Sequence, residues 1–226
     1  MSITVDIQSD VALITMDDGK ANAVNFDLMA ALNDTLDQAE SDAKAIVLAG
    51  REGRFSGGFD LKAMANFKPD DAAVLLDRAS ELLLRLYGGP LPVVGACTGH
   101  AIAMGTFLLL ACDTRIGADG DFKLGANESA TGMTLPVFAL ELARDRLSPR
   151  HLTRAMIQAF IYNPKGAVDA GYLDMLSAPE KVVEQSLAIA GQLTALSTRA
   201  YAYQKTALRK PTLDAIRASI GNHPNL

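Results

Sequence analysis

The stretch GHAIAMGTFLLLACD, residues 99–113, decides how the rest of the chain is arranged. Gly99 and Gly105 permit unusual backbone angles and close approach, whereas residues 107–112 are almost wholly apolar and have to be buried. The pattern predicts a tight turn followed by a short buried helix whose N-terminal end is the polar one. Unpaired amides at a helix N-terminus, backed by the helix dipole, can hold an anion or a developing oxyanion. Met104 lies at that position.

A second glycine-containing loop, RFSGGFDL at residues 54–61, follows a predicted strand. A glycine turn before an apolar helix is common packing in α/β proteins, and by itself it would not indicate a site. Two loops that each offer an amide to one point, however, can form an oxyanion hole. The pair of loops therefore predicts a reaction site between them, with backbone amides among its catalytic groups.

Length and composition place the chain among globular proteins with one main core. It has 226 residues, of which 49% are hydrophobic and 21% charged, and its formal charge is -5. A protein with a net negative charge has no general attraction to nucleic acid or to acidic membranes, so neither is expected as a partner. The longest apolar run, residues 101–112, is interrupted and falls short of the ~18 residues that cross a bilayer.

The N-terminal residues and the cysteines predict a cytoplasmic protein. Residues 1–6, MSITVD, lack the basic start and the apolar core of a signal peptide. Cys97 and Cys112 are the only cysteines, and both stand in apolar surroundings without metal-ligand spacing. We therefore expect two buried thiols, a reducing compartment and no metal site.

Hydrophobic periodicity predicts alternating strands and helices. A hairpin is expected over residues 3–15, buried strands at 45–49, 93–96 and 114–118, a further strand at 122–124, and amphipathic helices over 26–40 and 70–86. A polar loop is expected at 125–134, before a helix that begins at Pro136. The alternation indicates an α/β fold with short strands and irregular connections.

The last third of the chain is predicted to be mostly helical, with helices at 185–195, 199–209 and 213–220. Their apolar faces need a partner surface, and another subunit could supply it. We therefore divide the chain into a core domain at residues 1–195 and a C-terminal helical segment at 196–226, which is expected to serve oligomerisation.

Three motifs in this order, RFSGGFDLK (54–62), GHAIAMG (99–105) and LGANESATGMTLP (124–136), resemble those of the crotonase superfamily, the enoyl-CoA hydratase and isomerase family. The resemblance implies a crotonase-like (ClpP/crotonase) α/β fold, a spiral of ββα units with a C-terminal helical trimerisation region. It also implies an acyl-CoA thioester as substrate, an oxyanion hole for its carbonyl, and a homotrimer or a dimer of trimers. Coenzyme A would arrive as part of the substrate, so no separate cofactor is expected.

The resemblance assigns the oxyanion donors and the substrate contacts to positions of this chain. The donors are the backbone amides of Phe59 and Met104, whose side chains take no part. The positions expected to contact substrate are Ala21, Asn22, Ala23, Gly57, Asp60, Leu61, Lys62, Gly105 and Phe107. Lys62, Arg54 or Lys20 could meet the phosphates of coenzyme A, and without the resemblance each would be interpreted as solvated surface.

The chemistry depends on two positions at which hydratases of the family carry glutamates. The first is Phe107 here, three residues after Met104 on the same helix face, and a phenyl ring cannot exchange protons. The second is Glu128, in a loop, NESATGM, that resembles that of Δ3,Δ2-enoyl-CoA isomerases. One carboxylate facing an oxyanion hole suits removal of a proton beside a thioester carbonyl and its return two carbons along. Without the resemblance, Glu128 would be interpreted as a surface-loop carboxylate.

These features predict an enoyl-CoA isomerase that moves a 3-double bond to the trans-2 position. Glu128 would be the base, and Phe107 would dry the pocket and so raise the pKa of the carboxyl. Hydration or another enolate reaction on acyl-CoA is an alternative that needs a further acid, and a non-catalytic acyl-CoA-binding paralogue is an alternative of another class. Among the histidines, His100 is expected to pack or hydrogen-bond, while His151 and His223 have no acid nearby in sequence.

Overall fold

A computed structural model describes residues 2–223, so the outer ends of the predicted segments 1–195 and 196–226 lie outside the described residues. The strands are β1 (Ser2–Gln8), β2 (Val11–Asp17), β3 (Ala45–Gly50), β4 (Gly53–Ser56), β5 (Val93–Cys97), β6 (Gly99–Ile102), β7 (Thr114–Ala118), β8 (Leu124–Gly125) and β9 (Met175–Ser177). The α-helices are α1 (Phe26–Asp42), α2 (Leu61–Met64), α3 (Asp71–Gly88), α4 (Met104–Ala111), α5 (Glu128–Thr131), α6 (Val137–Arg146), α7 (Pro164–Ala170), α8 (Val182–Leu193) and α9 (Thr198–Ser219).

The larger sheet has six strands in the order β1-β2-β3-β5-β7-β9. β1 and β2 form the predicted antiparallel hairpin, and the later neighbours all pair in parallel. The parallel strands are short runs of small and branched apolar residues, because helices cover both faces of the sheet. β3, for example, is buried along its whole length, and α8 covers the face opposite the main core.

The smaller sheet consists of three parallel strands in the order β4-β6-β8. Because the strands are parallel, the segments that follow them leave from one edge, and these segments carry the predicted site residues. The prediction of a tight turn at Gly99 is wrong, since Gly99 begins β6. The glycine is needed because a Cβ there would lie 2.1 Å from the carbonyl carbon of Gly53 on the neighbouring strand.

The short helix that follows β6 is buried as predicted. All eight residues of α4 are buried, and the helix packs against α3 and α6. The polar segment 125–134 is not wholly a loop, because α5 forms one helical turn within it and is capped by Gly132, whose φ is +77°. This turn begins at Glu128 and so fixes where the predicted base lies.

The helices predicted separately at 199–209 and 213–220 are a single helix, α9, which runs through Pro211. Proline removes one hydrogen bond from a helix interior, but the helix is held to one surface on both sides of this position. Leu213 and Ile216 are buried against the main core, and α9 packs on α3 and α6 of the same chain. Part of the apolar face therefore finds its partner surface within the chain, while Tyr203 and Leu208 stay exposed.

Buried charges fasten α9 to the core. The Asp113 carboxylate forms ion pairs with Lys205 Nζ at 2.9 Å and with Arg209 Nη1 at 2.6 Å. All three side chains are less than a tenth exposed. Lys205 also donates to the carbonyl oxygens of Leu86 and Leu91, so its ammonium is fully paired. Such a group is stabilising only while every charge keeps its partners.

Cys97 and Cys112 are buried free thiols, as predicted, and burial raises the pKa of each to about 12. Within residues 2–223, no helix combines the length and the apolar character that crossing a membrane requires.

Candidate active site

The backbone amide of Met104 opens α4 and meets no hydrogen-bond acceptor among the described residues. Ala103 aims it, with φ +51° and ψ -124°, a conformation that glycine adopts far more easily. A residue held in such a region costs on the order of 1–3 kcal/mol, and strain of this kind collects at functional sites. Behind the turn, the amide of Thr106 donates to the Ala103 carbonyl at 2.8 Å.

The amide of Phe59 is also unused within residues 2–223, although the adjacent Gly58 carbonyl accepts from Val24 at 2.7 Å. Gly58, with φ +91°, brings this loop against the turn before α4. A Cβ at Gly58 would lie 2.8 Å from the Ala103 Cβ and 3.3 Å from the Met104 nitrogen. The two available amides therefore belong to loops in direct contact, as an oxyanion hole requires.

Glu128, at the start of α5, is the acidic group of the site. It is 8% exposed, and its Oε2 is buried without a hydrogen-bond partner among the described residues. Burial raises the pKa of its carboxyl above the ordinary glutamate value, and the amides of Glu128 itself and of Asn127 offset only part of that rise. A carboxyl with one unpaired oxygen and a raised pKa is suited to accept and return a proton.

Glu128, both amide-bearing loops and several helices surround one cavity of about 460 Å³. Its walls are mostly apolar, which is typical of a pocket for an aliphatic ligand. Residues that line it include Gly57, Phe59, Leu61, Met64, Leu75, Leu76, Ala103, Phe107, Glu128, Met133, Leu135, Val137 and Phe138. The structure therefore brings Phe59, Phe107 and Glu128 to one cavity, as the motifs predict.

Phe107 keeps this cavity apolar. The side chain is 1% exposed, and its ring meets Phe138 edge-on with ring centroids 5.9 Å apart. The contact holds the ring in the wall of the cavity, where it excludes water and provides no titratable group. Desolvation by such walls is the reason that the pKa of Glu128 is raised.

Asn22 does not present its side chain to a ligand, in contrast to its predicted role in substrate binding. The side chain is fully buried: Nδ2 donates to the carbonyl oxygens of Met16 (2.8 Å) and Phe55 (3.1 Å), while Oδ1 accepts from the Asp18 amide (2.9 Å). Its carbonyl is also used, since it accepts from the Ser56 hydroxyl at 2.7 Å. The Asn22 side chain therefore links its own loop to β2 and β4 through buried hydrogen bonds.

Ala21 and Ala23, on either side of Asn22, are half-buried, and the Ala21 carbonyl accepts from the Gly57 amide at 2.8 Å. These contacts place the Ala21 loop beside the edge of the cavity that Gly57 lines. Ala21, Ala23 and Gly57 have small side chains or none, so a ligand at this edge could approach their backbone closely.

The remaining predicted contact residues have separate positions. Asp60 caps α2, because its Oδ1 accepts from the amides of Lys62 and Ala63 at 3.1 Å. Leu61 and Lys62 are exposed at the start of this helix, and Leu61 lines the cavity. Gly105 is a packing residue, since a Cβ there would lie 2.5 Å from the Ser56 carbonyl oxygen. The basic candidates Lys20 and Arg54 are exposed, as Lys62 is.

The motifs alone do not assign several residues to the cavity wall. Residues 132–138 all line the cavity, so Leu135 and Val137, which directly continue the segment that contains Glu128, could have been assigned to it from that proximity. His223 could not, because its acidic partner, Asp77, lies 146 residues earlier.

Solved structures contain the same fold. The apo structure described as the enoyl-CoA isomerase of Mycobacterium tuberculosis matches with a TM-score of 0.92 and 40% identity, over 97% of this chain and 96% of that one. With the cavity and the paired loops described above, this likeness defines a crotonase-fold protein.

The model of the enoyl-CoA hydratase/isomerase family matches residues 6–222. Human mitochondrial enoyl-CoA delta isomerase 1 is 28% identical over 211 residues, which are 92% of this chain and 70% of the relative. A probable enoyl-CoA hydratase of Bacillus subtilis is 31% identical over 210 residues, 89% of this chain and 79% of the relative. The chain therefore belongs to the enoyl-CoA hydratase/isomerase family of enzymes, which confirms the resemblance found in its motifs.

Proposed function

We propose that this enzyme converts 3-enoyl-CoA thioesters into the conjugated trans-2 isomers, in the oxidation of unsaturated fatty acids. The proposal rests on which residues occupy two positions in the wall of one cavity. Glu128 is the single carboxylate among the described residues that line it, and Phe107 occupies the other position at which a carboxylate would be needed for hydration. The human mitochondrial relative that is described as an isomerase adds support. The M. tuberculosis protein is described as an isomerase in one structure and as a probable enoyl-CoA hydratase in another, so its descriptions favour neither reaction.

The amides of Phe59 and Met104 would hold the thioester oxygen. When a proton leaves carbon 2, the electron pair of that C–H bond moves onto the carbonyl oxygen, and two N–H donors stabilise the resulting negative charge. Neither amide has an acceptor among the described residues, so both are available for this role. Loss of one donor of this kind typically costs about a hundredfold in rate.

Glu128 would carry the proton from one carbon to the other. The carboxylate takes the proton from carbon 2, which leaves a dienolate with double bonds between carbons 1 and 2 and between carbons 3 and 4. The same group, now a carboxylic acid, returns the proton to carbon 4; the thioester carbonyl re-forms, the double bond now lies between carbons 2 and 3, and the base is regenerated. Atoms and electrons balance without a co-reactant, in agreement with a site at which coenzyme A enters only as part of the substrate.

Phe107 supports the reaction by excluding water from the cavity. Its ring fills the wall against Phe138, so the enolate and the base are kept from water. A dry cavity also brings the pKa of Glu128 closer to the working pH, at which a base is most effective as both acceptor and donor.

The test is spectroscopic. Purified enzyme with a 3-enoyl-CoA should produce the absorbance of a conjugated thioester, and Glu128→Gln should abolish that change while binding the substrate. If Glu128→Gln and the wild type convert the substrate equally fast, Glu128 is not the base.

Hydration is the second candidate, because the Bacillus subtilis relative is described as a probable hydratase. It predicts that crotonyl-CoA gains the mass of one water at a rate comparable to isomerisation. A non-catalytic acyl-CoA-binding protein predicts binding of both thioesters without conversion of either.

We also propose that exposed Lys62, Arg54 or Lys20 meets the phosphates of coenzyme A, near the Ala21–Ala23 loop and the capped start of α2. A cytoplasmic homotrimer, or a dimer of trimers, is proposed for the assembly. Light scattering of the purified enzyme tests the assembly, and a dimer would contradict it.

A further inference from the structure

The chain beyond α9 folds back onto α3 and reaches the cavity. Two contacts hold it there, both to one oxygen of Asp77: the Gly221 amide donates to Oδ1 at 2.8 Å, and His223 Nε2 lies 2.7 Å from the same atom. Burial raises the pKa of the Asp77 carboxyl, but the hydrogen bonds from Gly221 and His223 outweigh that effect, so that the pKa is lowered. Asp77 is therefore a stable anchor for this segment.

His223 is part of the cavity wall rather than of the outer surface. Its side chain is only 10% exposed, and both His223 and Asn222 line the cavity that contains Glu128. Among the described residues of that wall, Glu128 and His223 are the only two that titrate, and neither Lys nor Arg is present. The α3 side of the wall is formed otherwise by apolar residues such as Leu75 and Leu76.

The contact with Asp77 determines which ring nitrogen is available. A carboxylate accepts hydrogen bonds only, so it selects the form of imidazole that carries a proton on Nε2. The other nitrogen, Nδ1, then has a lone pair to offer and makes no hydrogen bond with a described residue. A hydrocarbon chain lying over Nδ1 would displace the water that hydrates this nitrogen without replacing its hydrogen bond. The affinity would fall by about tenfold or more as a result.

We propose that His223, together with Asn222, forms a polar subsite in the acyl pocket and that the enzyme prefers acyl chains carrying a hydroxyl group. A hydroxyl can donate to Nδ1 of neutral imidazole and can accept from the protonated ring. An ionised carboxylate is a poorer match, because no Lys or Arg is found among the wall residues that the structure describes and Asp77 already places a negative charge against the ring. This inference rests on the proposed isomerase function and specifies its substrate class.

The test compares two medium-chain 3-enoyl-CoA thioesters of equal length, one plain and one hydroxylated on the tail, in a series that moves the hydroxyl along the chain. For the wild type, kcat/KM is expected to be about tenfold higher for the best hydroxylated member than for the plain chain. His223→Leu should bring the ratio of kcat/KM for the hydroxylated and plain chains to about one. His223→Asn, which keeps a polar group near the position of Nδ1, should restore part of it.

Arg78→Ala is the matched control, since Arg78 follows Asp77 on α3 but is exposed and pairs with Glu81 on the surface. It should leave both rates as in the wild type. Equal wild-type rates for every member of the series, or equal losses on both substrates in His223→Leu, would overturn the subsite. The second result would instead assign His223 to the reaction itself.

Calorimetric titration with the same two thioesters, using the inactive Glu128→Gln variant, separates this inference from the proposed function. A binding preference for the hydroxylated chain that His223→Leu removes would support the subsite even if the enzyme isomerised neither compound. If isomerisation proceeds but no member binds more tightly than the plain chain, the subsite alone is wrong.

Discussion

A Cβ on Gly58 would lie only 3.3 Å from the backbone nitrogen of Met104, so these two residues bring the two amide-bearing loops into contact. Gly58 belongs to the loop after β4 and Met104 begins the helix after β6, and these strands are parallel neighbours. The proposed oxyanion hole thus depends on a glycine that lets the other loop approach.

Gly58→Ala should lower kcat by about a hundredfold, because the added methyl would push the Met104 amide away from the thioester oxygen. The methyl would also lie 2.8 Å from the Ala103 Cβ, at a residue with φ +91°. Steady-state kinetics on a 3-enoyl-CoA measures the effect. Gly191→Ala in α8, where a Cβ meets no atom within 4 Å, is the control and should have wild-type kcat. A Gly58→Ala enzyme with unchanged kcat would contradict the role of the Met104 amide.

The pKa of Glu128 predicts the pH dependence of the reaction. The base must be ionised, and burial raises its pKa above the ordinary value of 4.5. The value of kcat/KM should therefore rise with pH through a pKa higher than 4.5. A pH profile that is flat down to that value would be inconsistent with a buried carboxyl as the base.

The same pKa shift predicts a gain in stability when the charge is removed. A carboxyl whose pKa is higher in the folded than in the unfolded state contributes stability at low pH that is lost as the pH rises through the folded pKa. Glu128→Gln should therefore have a larger free energy of unfolding than the wild type at neutral pH, and the difference should shrink in acid. Urea denaturation measures it, and Glu184→Gln, whose side chain is 70% exposed, should show almost no change.

Phe107→Glu would place a second carboxyl in the cavity that contains Glu128. Like charges raise the pKa of each other, so isomerisation at neutral pH should fall and the pH profile should move to higher pH. Phe107→Leu keeps an apolar wall and should retain the wild-type profile. Identical profiles for Phe107→Glu and Phe107→Leu would show that position 107 does not influence the base.

Asp113→Asn would leave Lys205 and Arg209 buried without a negative partner. Breaking a buried ion pair in this way costs about 3–5 kcal/mol, and α9 should loosen first because both cations belong to it. Urea denaturation and hydrogen exchange of α9 measure the loss. Asp214→Asn, on the exposed face of the same helix, should cost less than about 1 kcal/mol. Equal stability of the two variants would mean that the buried cluster does not hold α9.

The elements that were predicted correctly are those with a local signal. The strong periodicity of α3 and the buried apolar runs of β3 and β5 are set by burial alone. Glu128 and Phe107 were found because motifs place them at known distances from a glycine turn. Gly99 was assigned to a turn because its real constraint, the approach of Gly53 on another strand, has no signature near it in the sequence.

Residues whose partners are distant along the chain could not be predicted. Lys205 meets Asp113 across 92 positions, and His223 meets Asp77 across 146. Asn22 was interpreted as a ligand contact because its neighbours match a binding loop, yet its side chain satisfies buried carbonyls of Met16 and Phe55. Buried polar groups need partners, but the sequence does not say which ones.

The central claim is that one carboxyl, Glu128, moves a proton from carbon 2 to carbon 4 in a cavity from which Phe107 excludes water. A 3-enoyl-CoA labelled with deuterium at carbon 2 tests it most directly, with the position of the label in the product read by NMR. We expect a measurable share of the deuterium at carbon 4, because a buried carboxylic acid exchanges slowly with solvent. Isomerised product with no deuterium at carbon 4 would show that another group or water delivers that proton, and would contradict the claim.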